Sequence, residues 1–375
     1  MKKLIAVIGT RPELIKTAPV IRQFSEMGLR EKLIIVNTAQ HKDLLDPFWG
    51  LFGIDYDYKL DLMVSGQNLS KLTSRAIIQF QGLLDNLLND DIVPAGILAQ
   101  GDTTTVMVSS MVAFYNQIKF LHLEAGLRSG DLQNPFPEEF NRKVASMVTS
   151  VHFAPTQLAK ENLINEGINT KNILVTGNTV VDALNYITST ENYKHGWNNS
   201  ELSMKLKNRE NIVLITCHRR ENFGQNLKNI IEAIKKLADV HHDYCFVWAI
   251  HPNPQVKDTL LSAGLAEVGN IILTPPVNYI ELLNILSVCR VAISDSGGIQ
   301  EEAPSFNVPV LVLREKTERP EGVELGVAHL VEADVDKIVN TFNEVILGKP
   351  GNRTNPYGDG YSSIKIVDYI NQYLF

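Results

Sequence analysis

Four side chains could move protons, and three of them stand where short apolar runs end. Asp102 follows Ile97–Ala99, and Glu124 follows Phe120–Leu123 in His122-Leu123-Glu124-Ala125-Gly126-Leu127-Arg128. His218 follows Ile212–Thr216 and Cys217, and Glu138 lies in Pro135-Phe136-Pro137-Glu138-Glu139-Phe140-Asn141-Arg142. Carboxylates and imidazoles are the usual general acids and bases near neutral pH. A single carboxylate at a strand end is ordinarily a helix cap or an ion-pair partner. Several converging on one edge are harder to explain that way.

Two further segments suit an anionic ligand. Gly9-Thr10-Arg11-Pro12-Glu13-Leu14-Ile15-Lys16 closes the first apolar run. Pro12 fits the first turn of a helix, whose free N–H groups attract anions, and Arg11 and Lys16 add two cations there. Ser294-Asp295-Ser296-Gly297-Gly298-Ile299-Gln300-Glu301-Glu302 follows another run and opens a helix. Gly297 and Gly298 let backbone amides approach an oxyanion, and Ser296 can donate a further hydrogen bond. Glu302 can accept from sugar hydroxyls, and Arg319 adds a cation on a later loop. The plainer alternative for both segments is a tight capped turn with charges in solvent.

Other signals carry less. Asp55-x-Asp57 looks like a metal–diphosphate pair, but its polar, Tyr-rich setting reads as a solvated loop. His241 is expected to meet the C-terminal carbonyls of the helix before it rather than a metal. Cys217 and His218 would face opposite ways on a strand, a poor nucleophile–base pair. His251 lies in a rigid Pro-rich loop and receives no role. No Gly-x-Gly-x-x-Gly, Walker or metal motif occurs, so the expected reaction uses neither nicotinamide nor metal.

Positioning such groups takes a fold that gathers strand ends. Short apolar runs (Leu4–Ile8, Lys32–Thr38, Ile97–Ala99, Phe120–Leu123 and Val151–Ala154) alternate with helical patterns, as in a parallel sheet covered on both faces. The composition turns polar between Gly177 and Asn211, and the alternation then restarts. The expected fold class is α/β: two doubly wound, Rossmann-like domains, residues 1–176 and 177–357, facing a central cleft. Open sheets of this kind bind ligands outside their strand C-termini. An apolar helix over residues 358–375 is expected to pack back on the first domain.

The chain has 375 residues, 44 % of them apolar, enough for two cores. A formal charge of −7 argues against nucleic acid or an anionic membrane as partner. Cys217, Cys245 and Cys289 lie far apart and read as reduced, buried thiols of a cytoplasmic protein. No run is long enough to span a bilayer.

Taken together, Gly9–Lys16, Gln40-His41, Gly101–Thr105, His122–Arg128, Pro137–Arg142, Gly177–Thr179, His218–Glu221, Asp295–Glu302 and Thr317–Glu321 resemble the bacterial non-hydrolysing UDP-N-acetylglucosamine 2-epimerases almost end to end. The resemblance implies a fold like that of the GT-B glycosyltransferases, usually as a homodimer. It also implies reversible inversion of carbon 2, converting UDP-N-acetylglucosamine into UDP-N-acetylmannosamine for cell-surface polysaccharide. By the same resemblance, Asp102, Glu124, Glu138 and His218 are catalytic, with Arg11 and Lys16 around the sugar and diphosphate. Ser296, Gly297, Gly298, Glu302 and Arg319 would hold the UDP. Gln40, His41 and Gln67 match a region where some members bind a second, activating UDP-N-acetylglucosamine. The sequence departs from the family at Leu282, where some members place an aromatic residue near the uracil.

The hydrogen on carbon 2 is not next to a carbonyl, so a base alone could not remove it. Expelling UDP from carbon 1 as that hydrogen leaves gives a 2-acetamidoglucal, and re-addition on the other face gives the epimer. This needs cations and amides for the diphosphate and acid–base groups for carbon 2. A GT-B glycosyltransferase would share the diphosphate site but not need Asp102, Glu124 and Glu138. A hydrolysing 2-epimerase would release free N-acetylmannosamine and UDP.

Overall fold

The computed structural model describes residues 2–40, 42–64, 66–191, 193, 201–348 and 355–375. They form two compact units: Met1–Ile187 with Tyr357–Phe375, and Thr188–Pro356.

The first unit is built on β1 (Lys2–Ile8), β2 (Leu33–Asn37), β3 (Tyr58–Lys59), β4 (Val93–Gln100), β5 (Phe120–Leu123), β6 (Val151–Ala154) and β7 (Ile173–Val175). They form one parallel sheet in the order β3-β2-β1-β4-β5-β6-β7. β1 is buried from Leu4 onward and β5 and β6 throughout, as strands covered on both faces must be. The helices are α1 (Arg11–Glu26), α2 (Lys42–Phe52), α3 (Leu69–Asn89), α4 (Thr104–Tyr115), α5 (Glu138–Val148), α6 (Gln157–Asn165) and α7 (Thr179–Ser189). α3 turns Leu72, Ala76, Phe80, Leu83 and Leu87 inward at helical spacing.

The second unit repeats the plan with β8 (Asn211–Thr216), β9 (Tyr244–Ala249), β10 (Ile271–Thr274), β11 (Cys289–Ser294), β12 (Val310–Val312) and β13 (Ala328–Leu330). Their order is β10-β9-β8-β11-β12-β13, again parallel. Its helices are α8 (Glu201–Leu206), α9 (Gln225–Val240), α10 (Pro254–Ser262), α11 (Tyr279–Val288), α12 (Gly297–Glu302), α13 (Pro320–Glu324) and α14 (Val335–Leu347).

The chain passes between units at Thr188, later than Gly177, where the composition turns polar. The reason is α7. Its Asp182 accepts the Ser363 N–H and hydroxyl, both at 2.7 Å, at the start of α15 (Ser362–Leu374), which ties both helices into the first unit. Among the described residues no helix is long and apolar enough to cross a membrane.

Candidate active site

In both sheets the strand order reverses direction beside the first strand, between β1 and β4 and between β8 and β11. A crevice opens outside the strand C-termini at such a point. The candidate residues sit at those two places and on the strands next to them.

In the first unit, Glu124 ends β5 with φ of +62°, a left-handed backbone that costs a non-glycine residue energy. Gly126, at φ +94°, lies so close to α6 that a Cβ would stand 2.1 Å from the Ala159 carbonyl oxygen. This packing holds the turn in its strained form. The Glu124 carboxylate is gripped by the Lys16 ammonium and by Asn178 Nδ2 at 2.9 Å, and Lys16 and Glu124 are both largely buried. Lys16 thus meets a carboxylate, while Arg11 stands exposed at the mouth of α1.

Asp102 follows β4. Arg142 of α5 donates to its Oδ2 through Nε at 3.0 Å and Nη2 at 2.6 Å, and Asn141 holds its carbonyl at 2.8 Å. Arg142 is itself fixed by the fully buried Glu139 at 2.8 Å, which also accepts the Ser129 and Gly130 N–H groups. Glu138 begins the same helix, half-buried. His122 Nε2 bonds the Gly101 carbonyl at 2.7 Å, so the imidazole braces the turn before Asp102. Burial, more than any neighbour, holds the His122 pKa down at about 4.

Glu13 underlies the phosphate-type turn. Its carboxylate accepts the Gly9 N–H, the Thr10 N–H at 3.0 Å and the Thr103 hydroxyl. Complete burial pushes its pKa up to about 7 against the pull of those three hydrogen bonds. A Cβ on Gly9 would meet the Thr38 and Thr105 hydroxyls at 2.4 and 2.6 Å, so only glycine fits.

In the second unit, Asp295 is fully buried at the end of β11. It accepts the backbone N–H of His218 and of Arg219, each at 2.9 Å, Asn222 Nδ2 at 3.0 Å and His218 Nδ1 at 2.9 Å. Burial pushes the Asp295 pKa up, but His218 and the N–H donors outweigh it and hold the carboxyl well below its usual range. His218 is exposed, with His251 stacked at 5.9 Å between ring centroids. Cys217, buried beneath, has its thiol pushed well up by burial and is no nucleophile.

Ser296 caps α12, and Gly297 and Gly298 are its first two residues, where backbone N–H groups have no intrahelical partner. Arg319, expected to help hold the UDP, lies against the Gly297 turn. It is buried between Glu301, at 2.7 Å, and Glu318, and it props Gly297 from behind. A Cβ on Gly297 would meet its Nη1 at 2.8 Å. Glu302 accepts the Tyr279 hydroxyl at 2.8 Å, and Tyr279 stands one turn before Leu282 on α11.

Gln40 accepts the Thr105 hydroxyl at 2.9 Å beside the β1 turn. Gln67 is held by Arg75 at 2.9 Å near the start of α3, and His41 lies outside the described residues. His241 bonds Asn343 of α14 at 2.8 Å instead of helix carbonyls, because α14 packs across the end of α9. Among the described residues no cluster of three or more His, Cys, Asp or Glu could hold a metal.

Asp295, Arg142, Glu139, Asn178 and Glu13 were not singled out from the sequence. Most of their partners lie far along the chain; the i,i+3 spacing of Glu139 and Arg142 and the capping box of Thr10 and Glu13 were the readable signals.

The family model for UDP-N-acetylglucosamine 2-epimerase matches residues 27–371. The UDP-N-acetylglucosamine 2-epimerase of Bacillus subtilis is 39 % identical over 99 % of this chain and 96 % of its own length. The crystal structure of the Neisseria meningitidis enzyme bound to UDP-GlcNAc superposes with a TM-score of 0.86 at 37 % identity, covering 99 % of this chain and all of that one. An S. aureus UDP co-structure gives 0.88 at 39 %, covering 100 % and 97 %. The chain belongs to the UDP-N-acetylglucosamine 2-epimerase family.

Proposed function

We propose that this protein inverts carbon 2 of UDP-N-acetylglucosamine without hydrolysing it, giving UDP-N-acetylmannosamine. The observation that carries this is the state of two carboxylates at the switch point of the first sheet. Glu124 and Asp102 are each held by a cation, Lys16 and Arg142, the second shared with Glu139. A glycosyl transfer that only expels UDP has no use for that pair, whereas an exchange of the hydrogen at carbon 2 does.

The steps balance without a co-reactant. A carboxylate takes the carbon 2 proton, the C–H electrons form the carbon 1–carbon 2 double bond, and the carbon 1–oxygen bond breaks to release the UDP anion. UDP then adds back to carbon 1 while a proton reaches the opposite face of carbon 2. Arg11, Ser296 and the N–H groups of Gly297 and Gly298 stabilise the diphosphate as its charge grows. His218, oriented by Asp295, faces that same charge with its other ring nitrogen. Glu302 serves the ribose, and Glu138 shares the proton transfers. The UDP-GlcNAc and UDP complexes of the Neisseria meningitidis and S. aureus proteins support the choice of ligand.

Incubation with UDP-N-acetylglucosamine, resolved by anion exchange and proton NMR, tests this reading. Both UDP-sugars at equilibrium are expected, with UDP and free N-acetylmannosamine only as traces. Stoichiometric release of those two would establish the hydrolysing reaction instead.

We also propose a homodimer formed through the first unit. The adjoining helices α3, α4 and α5 expose Ile78, Phe114, Tyr115, Phe140 and Met147, apolar side chains of the kind that mark an interface when they lie together.

A further inference from the structure

Glu13 is buried and has no part in the steps above, yet it joins two of the turns that carry the reacting groups. One carboxylate oxygen receives the N–H groups of Gly9 and Thr10, and the other receives the Thr103 hydroxyl. Arg11 begins its helix directly after Thr10, and Asp102 immediately precedes Thr103. One turn further along α1, Lys16 reaches Glu124 on β5. The first two turns of α1 therefore tie the ends of β1, β4 and β5 together, and Glu13 supplies the link to β4.

We propose that Glu13 is a positioning residue for the reaction: as a carboxylate it clamps the Gly9–Thr10 turn to the Thr103 turn, and its protonation replaces the charge-assisted link to Thr103 by a weaker, reversed one. This rests on the epimerase reading given above.

The chemistry is fixed by the donors. Backbone N–H groups cannot reverse, so an added proton must sit on the oxygen facing Thr103. The Thr103 hydroxyl then has to accept where it donated, and its own hydrogen swings to another partner. Thr103 also caps α4 by accepting the Val106 N–H at 3.4 Å, so the change reaches both the cap and the neighbouring Asp102. Few charges stand around the carboxylate. Asp102 acts on it from the β4–α4 turn and favours the proton, but Arg142 offsets that charge. Arg11 and Lys16 lie on its own helix, and Lys16 is taken up by Glu124, which faces from the end of β5. The end of β2 presents the neutral Asn37 and Thr38. Burial dominates, and it places the titration at about pH 7, inside the working range of a cytosolic enzyme.

Glu13→Gln mimics the protonated acid at every pH. Its amide oxygen can accept from Gly9 and Thr10, and its NH2 can only donate toward Thr103. The wild type should lose kcat as pH falls through about 7. In Glu13→Gln, kcat at pH 8.5 should be roughly ten- to a hundredfold lower, the worth of a charge-assisted hydrogen bond, with KM little changed and that limb of the profile gone. Thr103→Ser should behave as wild type, and Thr103→Val, with no hydroxyl to be held, should be slow at every pH and lack the limb.

A second readout does not depend on activity. Ile8–Gly9 is the only Ile–Gly pair in the chain, so ¹³C-carbonyl isoleucine with ¹⁵N-glycine labelling isolates the Gly9 amide in an NMR spectrum. That amide should titrate with a midpoint near pH 7 in the wild type and stay flat in Glu13→Gln. A Gly9 amide unmoved between pH 5.5 and 8.5 overturns the clamp, as does a Glu13→Gln profile superimposable on that of an active wild type. A wild type that does not epimerise defeats the function reading instead, and the Gly9 titration still decides the clamp.

Discussion

Glu124 shows how one residue is prepared by three separate costs. Its backbone is left-handed, its carboxylate is largely buried, and its charge depends on one ammonium and one amide. Removing one partner of a buried pair leaves an uncompensated charge, a loss of about 3–5 kcal/mol. Lys16→Met should therefore destabilise the first unit by about that amount in urea unfolding, as well as slowing turnover. Glu124→Gln keeps the shape and removes one of the carboxylates proposed for proton transfer, so the rate should fall roughly 10²–10⁴-fold while UDP binding in calorimetry is unchanged. His218 depends on Asp295 in the same way as a catalytic imidazole depends on its orienting carboxylate. His218→Asn and Asp295→Asn should each be slow, and the double variant little slower than the worse single one, since both remove one function. Additive losses would separate the two residues.

At the scale of elements, the turns after β1, β4, β5, β8 and β11 do the positioning, and the helices that follow set their depth. Gly297 illustrates the coupling. Its turn rests on Arg319, and Arg319 rests on Glu301 and Glu318. Gly297→Ala should push the turn outward and weaken UDP binding at least as much as Ser296→Ala, for which roughly ten- to a hundredfold is expected. Titration calorimetry with UDP checks both, and an unaltered Gly297→Ala affinity would remove Arg319 from the account. Much of this level was legible in the sequence. Phe120–Leu123 and Val151–Ala154 are strands to the residue, because apolar runs between turn signals report burial on both faces. Asp102, Glu124, His218 and Ser296 were legible as strand-end groups for the same reason. Asp295 was not, because its partner His218 stands 77 residues away, and Glu13 is separated from Thr103 by 90. Spacing reads neighbours on one element and is silent on which strand ends lie side by side. The partners of Arg319, Glu301 and Glu318, were not legible, because a loop arginine after a strand looks alike whether or not buried carboxylates hold it.

For the whole molecule, the buried titratable groups set opposing responses to acid. Burial holds the pKa of His122 at about 4 and that of His152 at about 3. Such imidazoles contribute stability that is whole above about pH 6.5 and is lost as pH falls through the folded values. Glu13, raised to about 7, contributes stability that is whole below 4.5 and lost as pH rises through 7. Between about pH 6.5 and 4.5 the unfolded chain binds two protons on these imidazoles, and the folded chain binds one on Glu13. The difference of one proton lowers stability by about 1.4 kcal/mol per pH unit. In Glu13→Gln the difference becomes two, so urea unfolding at pH 6.5, 5.5 and 4.5 should show about twice the slope. Equal slopes would contradict the assignment of Glu13. The central claim concerns carbon 2 itself. If UDP leaves as the carbon 2 proton leaves, that hydrogen must come from solvent when the sugar is rebuilt. Proton NMR of the reaction in heavy water should show every molecule of UDP-N-acetylmannosamine deuterated at carbon 2, with deuterium also appearing in the recovered UDP-N-acetylglucosamine. Epimer that keeps its original hydrogen at carbon 2 would contradict the account.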